Sequence, residues 1–395
     1  MRAQQNFPLS SRPQRHMQID AFRAFALFGL LLVHCVELFE LHWADPKPSL
    51  FFDKTFLVFA GKAFAMFALS FGLSFSIIIK RAAERQEPFE LRYFWRSIIL
   101  VFFGLAHTVI YRGDILVVLG LVGLMLIPLN RLKSNLLLSI LAALFLVNLP
   151  LVLRLLMTYE GVSTGIPVFV EANSLSMQAY LNGGVLESLR ANLGSGNLVK
   201  WLFMLESGRV SQMFGLFLLG LILGRLSFFT DLTRFQIHRW TIGLSTACLG
   251  WLLHDNQTQI MALFPVSNIG ETQFFISNLV KGWINLLVMV AQTLLFFELW
   301  FLLKGRGLHY LAPMGRISLT LYICQSLFFI PLLYNMGLGL YDDVTAKQMF
   351  WVGIGSFVLQ GFFASFWVRY YHYGPLEWLW RAATNVTFKV PFRRV

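Results

Sequence analysis

Charged residues are scarce in this sequence. Asp, Glu, Lys and Arg make up 13% of the 395 residues, whereas hydrophobic residues make up 57%. A soluble domain carries about 25% charged residues, so the composition excludes an ordinary soluble protein and predicts an integral membrane protein. The net charge of +12 could point to nucleic acid, but the basic residues lie in short segments between apolar runs. That distribution is typical of cytoplasmic loops, so we expect membrane lipid as a partner and no nucleic acid.

Cysteine is also scarce, and its positions argue against two kinds of site. Cys35, Cys248 and Cys324 show no CxxC spacing, which indicates neither a disulfide framework nor a zinc site. No cluster has metal-ligand spacing, and Walker, Rossmann and HExxH motifs are absent. The lack of a clear internal repeat argues mildly against a transporter built from duplicated halves. We expect no metal and no permanently bound cofactor.

Apolar runs of about 20 residues are long enough to cross a bilayer as helices. They predict an all-α fold, a polytopic membrane bundle with about ten spans, and an eleventh span is left open. The spans lie at about 19–40, 55–79, 96–111, 114–130, 135–157, 209–229, 240–254, 275–303, 310–334 and 348–370. The predicted organisation is a cytoplasmic leader (1–18), an N-terminal bundle (19–158), an external loop segment (159–207), a C-terminal bundle (208–370) and a basic cytoplasmic tail (371–395).

The basic residues predict the orientation of the bundle. Ten spans put both termini on one side, and the loops on that side hold most of the basic residues, namely Arg12, Arg15, Lys80, Arg81, Arg85, Arg92, Arg131, Lys133, Arg225, Arg234, Lys304, Arg306, Arg393 and Arg394. Both termini are therefore expected to be cytoplasmic. Gly220 and Gly224 form a GxxxG pattern suited to close helix packing, which makes a homodimer conceivable.

The first span, 19–40, carries more ionisable residues than a lipid-facing helix tolerates. Asp20 and Arg23 lie three residues apart on one face near the cytoplasmic boundary and can pair. His34 lies roughly 16 Å further along the helix, and Glu37 is placed to orient its imidazole. We predict His34 as a general base. Two structural explanations stay open, an ion pair that fixes helix depth and a histidine that bonds a neighbouring helix.

Three further polar residues are predicted in the outer half of the membrane. Lys62 could meet Glu37 or a substrate oxyanion, and snorkelling to the interface is the alternative. His107 and Asp114 could converge with His34 around one outward-facing cavity, as a base and its orienting carboxylate. For Asp114 the competing explanation is an N-cap of the fourth span.

Other polar side chains are predicted at the cytoplasmic entrance and in the C-terminal half. Arg92 and Arg96 could hold the phosphates of a coenzyme A donor, and topology determination or contact with anionic lipid is the alternative. A largely apolar helix contains the polar residues Arg316, Tyr322 and Gln325. They are predicted to face a polar cleft.

The chain resembles known membrane proteins in these same segments. The R-x10-H arrangement of Arg23 and His34 resembles the first-helix motif of the membrane acyltransferase-3 family, whose histidine is taken as catalytic. Over nearly all of the chain the sequence resembles the YeiB-type bacterial inner-membrane proteins (domain of unknown function 418), in the stretches IDAFRAFALFGLLLVH, GKAFAMFALSFGLSFSI, FWRSIILVFFGLAHTVIYRGDIL, LLGLILGRLSFF, APMGRISLTLYICQSL and YGPLEWLWR. These proteins are similar to the wider transmembrane acyltransferase superfamily, which includes heparan-α-glucosaminide N-acetyltransferase. The YeiB-type pattern often has Asn at the position of His34, so this member either keeps the catalytic histidine or uses the position structurally.

The resemblance implies a multi-pass protein of a bacterial inner membrane that moves an acyl group, such as acetyl, from cytoplasmic acyl-CoA. The acceptor would be a hydroxyl or amine of a glycan, lipid or small molecule at the outer face. The predicted roles are catalytic for His34, Glu37, His107 and Asp114, donor-binding for Asp20, Arg23, Arg92 and Arg96, and cavity-lining for Lys62, Arg316, Tyr322 and Gln325. A transporter or lipid flippase and a membrane subunit without chemistry are the alternatives.

Overall fold

The computed structural model describes residues 16–162, 169–264 and 271–394. Over these residues the chain is helical and forms no named strand, with one isolated β-bridge between Tyr371 and Arg393. The predicted all-α class is confirmed. Most of the predicted leader, residues 1–15 with Arg12 and Arg15, lies outside the described residues.

Eighteen α-helices follow one another along the described chain. The first seven are α1 (Met17–Val36), α2 (Leu50–Phe59), α3 (Lys62–Glu84), α4 (Glu90–Thr108), α5 (Leu116–Leu129), α6 (Asn135–Leu146) and α7 (Leu149–Tyr159). The others are α8 (Phe169–Asn182), α9 (Val185–Leu193), α10 (Ser195–Glu206), α11 (Arg209–Arg225), α12 (Gln236–Asp255), α13 (Gln257–Ala262), α14 (Glu271–Leu302), α15 (Ala312–Arg316), α16 (Ser318–Leu333), α17 (Ala346–Tyr370) and α18 (Pro375–Thr384). Two 3₁₀ turns, Leu41–Trp43 and Leu308–Leu311, complete the helical elements.

Fewer helices than the predicted ten spans are long and apolar enough to cross a membrane. Within the described ranges four qualify, namely Met17–Trp43, Leu50–Glu84, Glu271–Leu302 and Ala346–Tyr370. Three bent helix pairs raise the number to seven if each pair counts as one span. Length and composition therefore support a membrane protein with several apolar helices, while the count of ten stays a prediction.

The helices at the predicted spans 96–111, 114–130 and 240–254 are not among those that qualify, and several other predicted spans are interrupted. The apolar run at 55–79 is divided by Gly61, whose φ of +76° suits glycine. The run at 135–157 bends by 48° around Asn148, which has a φ of +65°. The run at 310–334 bends by 80° between α15 and α16. Each segment is apolar on average, so hydropathy alone does not reveal the turn inside it.

The segment assigned to an external loop is largely helical. Residues 169–206 form α8, α9 and α10, and Val185–Glu206 continues into α11 after a bend of 65°. Tyr180 and Asn192 are buried, and the Tyr180 hydroxyl donates to Asn192 Oδ1 at 2.8 Å. These amphipathic pieces therefore pack against the rest of the protein instead of forming an irregular connection.

Glycines allow α3 and α11 to pack at short range. A Cβ on Gly220 would lie 2.5 Å from the Leu69 carbonyl oxygen, and a Cβ on Gly72 would lie 2.3 Å from that of Phe217. Gly224 faces Ser76 on the same helix pair. The GxxxG pattern is thus occupied by an intramolecular contact, as expected of small residues at membrane helix interfaces. It gives no independent support to a homodimer.

The tail folds back onto the bundle. Glu377 in α18 accepts hydrogen bonds from the backbone N–H groups of Leu319 and Thr320 at 2.7 and 3.1 Å. It also accepts one from the Thr320 hydroxyl at 2.6 Å. Trp380 donates to the Arg96 carbonyl oxygen at 2.7 Å. The tail therefore caps the start of α16 and ties it to α4.

Candidate functional site

A cavity of about 1280 Å³ lies among α1, α2, α3, α10, α11, α12 and α14. We call it the main cavity. Its walls are mostly apolar, and its polar lining residues are His34, Glu37, Glu40, Lys62, Arg112, Asp114, Asn173, Lys200, Ser207, Arg209, Gln212, Arg239, His254, Gln257, Asn278, Lys281, Asn285, Gln292 and Glu298. Of the residues singled out in the sequence, it contains His34, Glu37, Lys62 and Asp114.

His34 is held at one ring nitrogen. Nδ1 lies 3.1 Å from Glu37 Oε1, a contact that the i, i+3 spacing on α1 makes local. A carboxylate only accepts hydrogen bonds, so this geometry assigns the proton to Nδ1. Nε2 is then the unprotonated nitrogen, and none of the described residues forms a hydrogen bond with it. The arrangement leaves a basic nitrogen available to a molecule in the main cavity.

Tyr111 joins His34 to a second carboxylate. Its hydroxyl lies 3.1 Å from His34 Nδ1 and donates to Glu40 Oε1 at 3.4 Å. Glu40 forms an ion pair with Arg112, and Arg112 in turn donates to the Ser176 hydroxyl at 2.7 Å. Sequence reasoning missed Glu40 and Tyr111 as site residues, because the contacts join positions about 70 residues apart.

The chain turns sharply directly after Glu37. Leu38, Phe39 and Glu40 have φ values of 53°, 49° and 80°, so three consecutive non-glycine residues adopt the left-handed conformation. Each such residue costs on the order of 1–2 kcal/mol. Tyr334 secures the turn by donating to the Phe39 carbonyl oxygen at 2.8 Å. Backbone strain of this kind clusters at functional sites, and here it directs Glu40 toward the main cavity.

His107 and Asp114 form a separate buried pair beside the cavity. His107 Nδ1 lies 2.8 Å from Asp114 Oδ1, and both side chains are almost fully buried. Asp114 Oδ2 also accepts from the Val117 backbone N–H at 3.1 Å, so the carboxylate caps the start of α5. Tyr322 packs against the His107 ring with centroids 5.3 Å apart. His107 does not line the main cavity, so the predicted convergence with His34 occurs only through Tyr111, whose ring lies between them.

Three cations lie near the His34 end of the main cavity. Lys62 is 5% exposed and donates to the Phe56 carbonyl oxygen at 3.4 Å, not to Glu37. Lys200 and Arg209 both interact electrostatically with Glu40 and face aromatic rings, Lys200 over Trp201 and Arg209 over Phe203. No carboxylate in the described part of the chain forms an ion pair with any of the three.

A buried ion pair lines the opposite end of the cavity. Arg239 on α12 is 1% exposed and donates through Nε to Glu298 Oε2 at 2.9 Å. Gln236 and Trp240 donate to Glu298 Oε1 at 3.0 and 3.1 Å. From Asn278 to Glu298, both lining residues of α14, the helix rises roughly 30 Å. The cavity therefore extends over a distance comparable with the hydrocarbon core of a bilayer.

One side of the main cavity opens to the surface of the bundle. Several of its apolar lining residues are more than two-fifths exposed, namely Leu57, Val58, Trp240, Leu244, Trp251 and Leu295. Most of the α12 surface is likewise exposed. An apolar opening of this kind faces lipid in a membrane, so a molecule with a hydrocarbon chain can enter from the side.

Asp20 and Arg23 lie away from the main cavity. Arg23 pairs with Asp20 at 3.1 Å and donates to Ser74 Oγ at 2.7 Å and to the Gly315 carbonyl oxygen at 3.0 Å. These contacts join α1 to α3 and α15. They favour the structural explanation for the pair over donor binding.

The remaining predicted site residues make local contacts outside the main cavity. Arg92 is half exposed and pairs with Glu87, whereas Arg96 stacks on Trp380 at 3.6 Å from the ring centroid. Arg316 donates to the His372 carbonyl oxygen at 2.9 Å. Gln325 donates to Gln360 at 2.9 Å, and Tyr322 accepts from the Ile115 backbone N–H at 3.3 Å. The predicted polar cleft around Arg316, Tyr322 and Gln325 is therefore not part of this cavity.

Among the residues with described positions, no group of three His, Cys, Asp or Glu side chains is arranged to hold a metal ion. The polar chemistry that the cavity offers is that of an imidazole, carboxylates and cations.

Comparison with known proteins finds a family that matches part of the chain and similar proteins over most of its length. Residues 223–387 match the family described as protein of unknown function (DUF418). The chain is 26% identical to the uncharacterized protein YeiB of Escherichia coli (strain K12), over 94% of this chain and 96% of YeiB. It is 24% identical to the uncharacterized protein YxaH of Bacillus subtilis (strain 168), over 94% of both chains. It is also 24% identical to an uncharacterized 39.9 kDa protein in the amylase 3′ region of Bacillus acidopullulyticus, over 93% of this chain and 92% of that protein. No solved structure matches.

The similarity to YeiB extends over almost the whole of both chains, which confirms the YeiB-type resemblance of the sequence. The wider acyltransferase relationship is not among these matches. The chain is thus similar to the YeiB-type proteins over most of its length, and its residues 223–387 match the DUF418 family.

Proposed function

We propose that this chain is a membrane acyltransferase in which His34 takes a proton from an acceptor hydroxyl or amine. The observation that carries the proposal is the His34–Glu37 contact at 3.1 Å in the wall of a large apolar cavity. A histidine whose Nδ1–H is held by a carboxylate presents Nε2 as a base. Such a base contributes about 10²- to 10⁴-fold to the rate of a proton-transfer step.

The proposed reaction uses an acyl-CoA thioester as donor. The acceptor gives its proton to His34 Nε2 while its oxygen or nitrogen attacks the thioester carbonyl carbon. The carbon–sulfur bond then breaks, and the proton on Nε2 passes to the departing thiolate. The products are the acylated acceptor and free coenzyme A. Lys62, a buried cation in the same cavity, is suited to stabilise the oxyanion of the tetrahedral intermediate.

The contacts of the basic residues indicate which of them are available to bind the donor. Arg23 and Arg96 contact other parts of the bundle, whereas Arg92, which pairs with Glu87, is half exposed and belongs to the same predicted cytoplasmic loop as Lys80 and Arg81. We therefore assign the donor phosphates to the surface around Arg92. This surface lies on the side predicted to be cytoplasmic.

A second candidate function is translocation of an amphiphile. The main cavity extends roughly 30 Å along α14 and has polar groups at both ends, as a path across the hydrocarbon core requires. Transport predicts movement of a labelled amphiphile between leaflets without consumption of acyl-CoA. Acyl transfer predicts release of free coenzyme A.

Turnover by the purified full-length protein tests the proposal. Acetyl-CoA is supplied in detergent micelles that contain total bacterial lipid, and free thiol is measured. His34→Ala is expected to lower thiol release at least 100-fold, and Glu37→Gln about 10-fold. His254→Ala removes another cavity histidine and serves as the matched control, with unchanged release.

Two results would contradict the proposed function. One is the absence of any binding of coenzyme A by calorimetry. The other is equal thiol release by wild type and His34→Ala, with both variants folded by circular dichroism.

A further inference from the structure

We propose that the His34 end of the main cavity binds the phosphate group of a long-chain anionic lipid, whose hydrocarbon chain lies between α12 and α14. The binding step goes beyond the proposed function and does not require it. If both hold, a bound anionic lipid that carries a hydroxyl or amine is the acceptor.

The first argument is an excess of positive charge. Lys62, Lys200 and Arg209 line this end of the cavity, and no described carboxylate forms an ion pair with them. The nearby acidic groups are Glu37, Glu40 and Asp114; Glu40 pairs with Arg112, whereas Asp114 and Glu37 contact the imidazoles of His107 and His34. With both imidazoles neutral, these three cations and Arg112 face three carboxylates, so one positive charge is left uncompensated in an apolar environment, and a phosphate would provide the missing charge.

The second argument concerns the ends of two helices. α3 begins at Lys62 after Gly61, and α11 begins at Arg209 after Gly208, so each helix starts with a glycine of positive φ followed by a cation. Neither N-terminus receives a hydrogen bond from a capping side chain. A cation opposes the helix dipole at an N-terminus, where an anion is favoured. A phosphate between these ends would satisfy both the cations and the free backbone N–H groups.

The third argument identifies a lipid instead of a soluble phosphate. Away from the cations the cavity becomes an apolar groove along α12 and α14, with Leu244, Trp251 and Leu295 exposed at its opening. Inorganic phosphate would leave this surface without a partner. A hydrocarbon chain covers it, and the lateral opening lets the lipid enter from the bilayer.

Native mass spectrometry of the full-length protein in detergent provides the test, with dioleoyl phosphatidate as the probe and dioleoyl phosphatidylcholine as the reference lipid. We expect phosphatidate to bind at least tenfold more tightly. Lys200→Gln combined with Arg209→Gln is expected to weaken phosphatidate binding at least tenfold. Lys47→Gln and Arg190→Gln remove exposed cations outside the cavity and are expected to change it less than twofold.

Two further measurements distinguish a lipid phosphate from the phosphate of a soluble molecule. Ala247→Phe narrows the groove from an exposed position on α12 and is expected to weaken binding of dioleoyl phosphatidate but not of glycerol phosphate. Displacement of phosphatidate by micromolar coenzyme A would assign the cations to the donor and overturn the lipid proposal. Equal affinity for the two lipids, or unchanged binding by the Lys200/Arg209 double variant, would also overturn it. His34→Ala is expected to retain phosphatidate, so failure of binding is distinguishable from failure of turnover.

Discussion

Replacement of Glu298 tests how α12 is held in the wall of the main cavity. Glu298 is 3% exposed and accepts hydrogen bonds from Gln236, Arg239 and Trp240. Glu298→Ala leaves the Arg239 guanidinium buried without its counter-charge. Breaking a buried pair in this way costs about 3–5 kcal/mol, which is a large part of the stability of most domains.

A double variant that removes both charges is expected to be more stable than the single variant. Arg239→Met with Glu298→Leu removes both charges and keeps similar volumes, so it is expected to be at least 2 kcal/mol more stable than Glu298→Ala. The free energy of unfolding is measured by titration with a denaturing detergent in mixed micelles. A cost below about 1 kcal/mol for Glu298→Ala, or a double variant as unstable as the single one, would refute the assigned role of the pair.

Three other predictions concern packing, pH and backbone strain. Gly220→Val places its side chain against the α3 backbone and is expected to lower the Tm sharply, whereas Gly355→Val, which enters open space, is expected to leave it nearly unchanged. Burial raises the pKa of Glu377 above its usual value near 4.5, although hydrogen bonds from α16 oppose the shift. The folded state therefore binds the Glu377 proton more tightly than the unfolded state does. The contribution of this group to stability is largest below about pH 4.5 and is lost as the pH rises through the raised pKa. Glu377→Gln is expected to abolish this pH dependence in thermal melts recorded at several pH values. Tyr334→Phe removes the hydrogen bond to the Phe39 carbonyl oxygen and is expected to cost about 1 kcal/mol and to increase hydrogen exchange in the strained turn.

Each of these three has a result that would contradict it. Equal Tm losses for the two glycine variants would show that the short α3–α11 distance is not limiting. A pH dependence that persists in Glu377→Gln would assign it to another group. Unchanged exchange in Tyr334→Phe would mean that the turn is held by its aromatic packing instead.

Local features of the site were predictable from the sequence. The i, i+3 spacing places Glu37 beside His34, and Asp20 beside Arg23, because a helix fixes these distances within one turn. Asp114 caps the start of α5, as the competing explanation for this residue expected. The predicted functions of these residues stay predictions, because spacing does not distinguish a ligand-facing group from one that joins two helices. Arg23 shows the difference, since its guanidinium joins three helices.

Long-range contacts were not predictable. Tyr111 and Glu40 reach His34 and Arg112 only because α1 and the segment after α4 pack together. Hydropathy also failed to reveal the bends at Asn148 and between α15 and α16, since each bend lies within one apolar segment. Such features depend on where a helix meets its neighbours.

The sequence by itself determined the membrane class, the all-α fold, the YeiB-type relationship and the charged face of the first helix. Composition and helical spacing are sufficient for these, because they depend on solvent transfer and on the geometry of a single turn. Only the tertiary structure decided which charges from different helices meet. It assembled Lys62, Lys200 and Arg209 from three helices at one end of the main cavity, and it placed Arg23, Arg96 and Arg316 elsewhere. The physical reason is that a buried charge acts on the groups packed around it, and packing brings together residues that are distant in the chain.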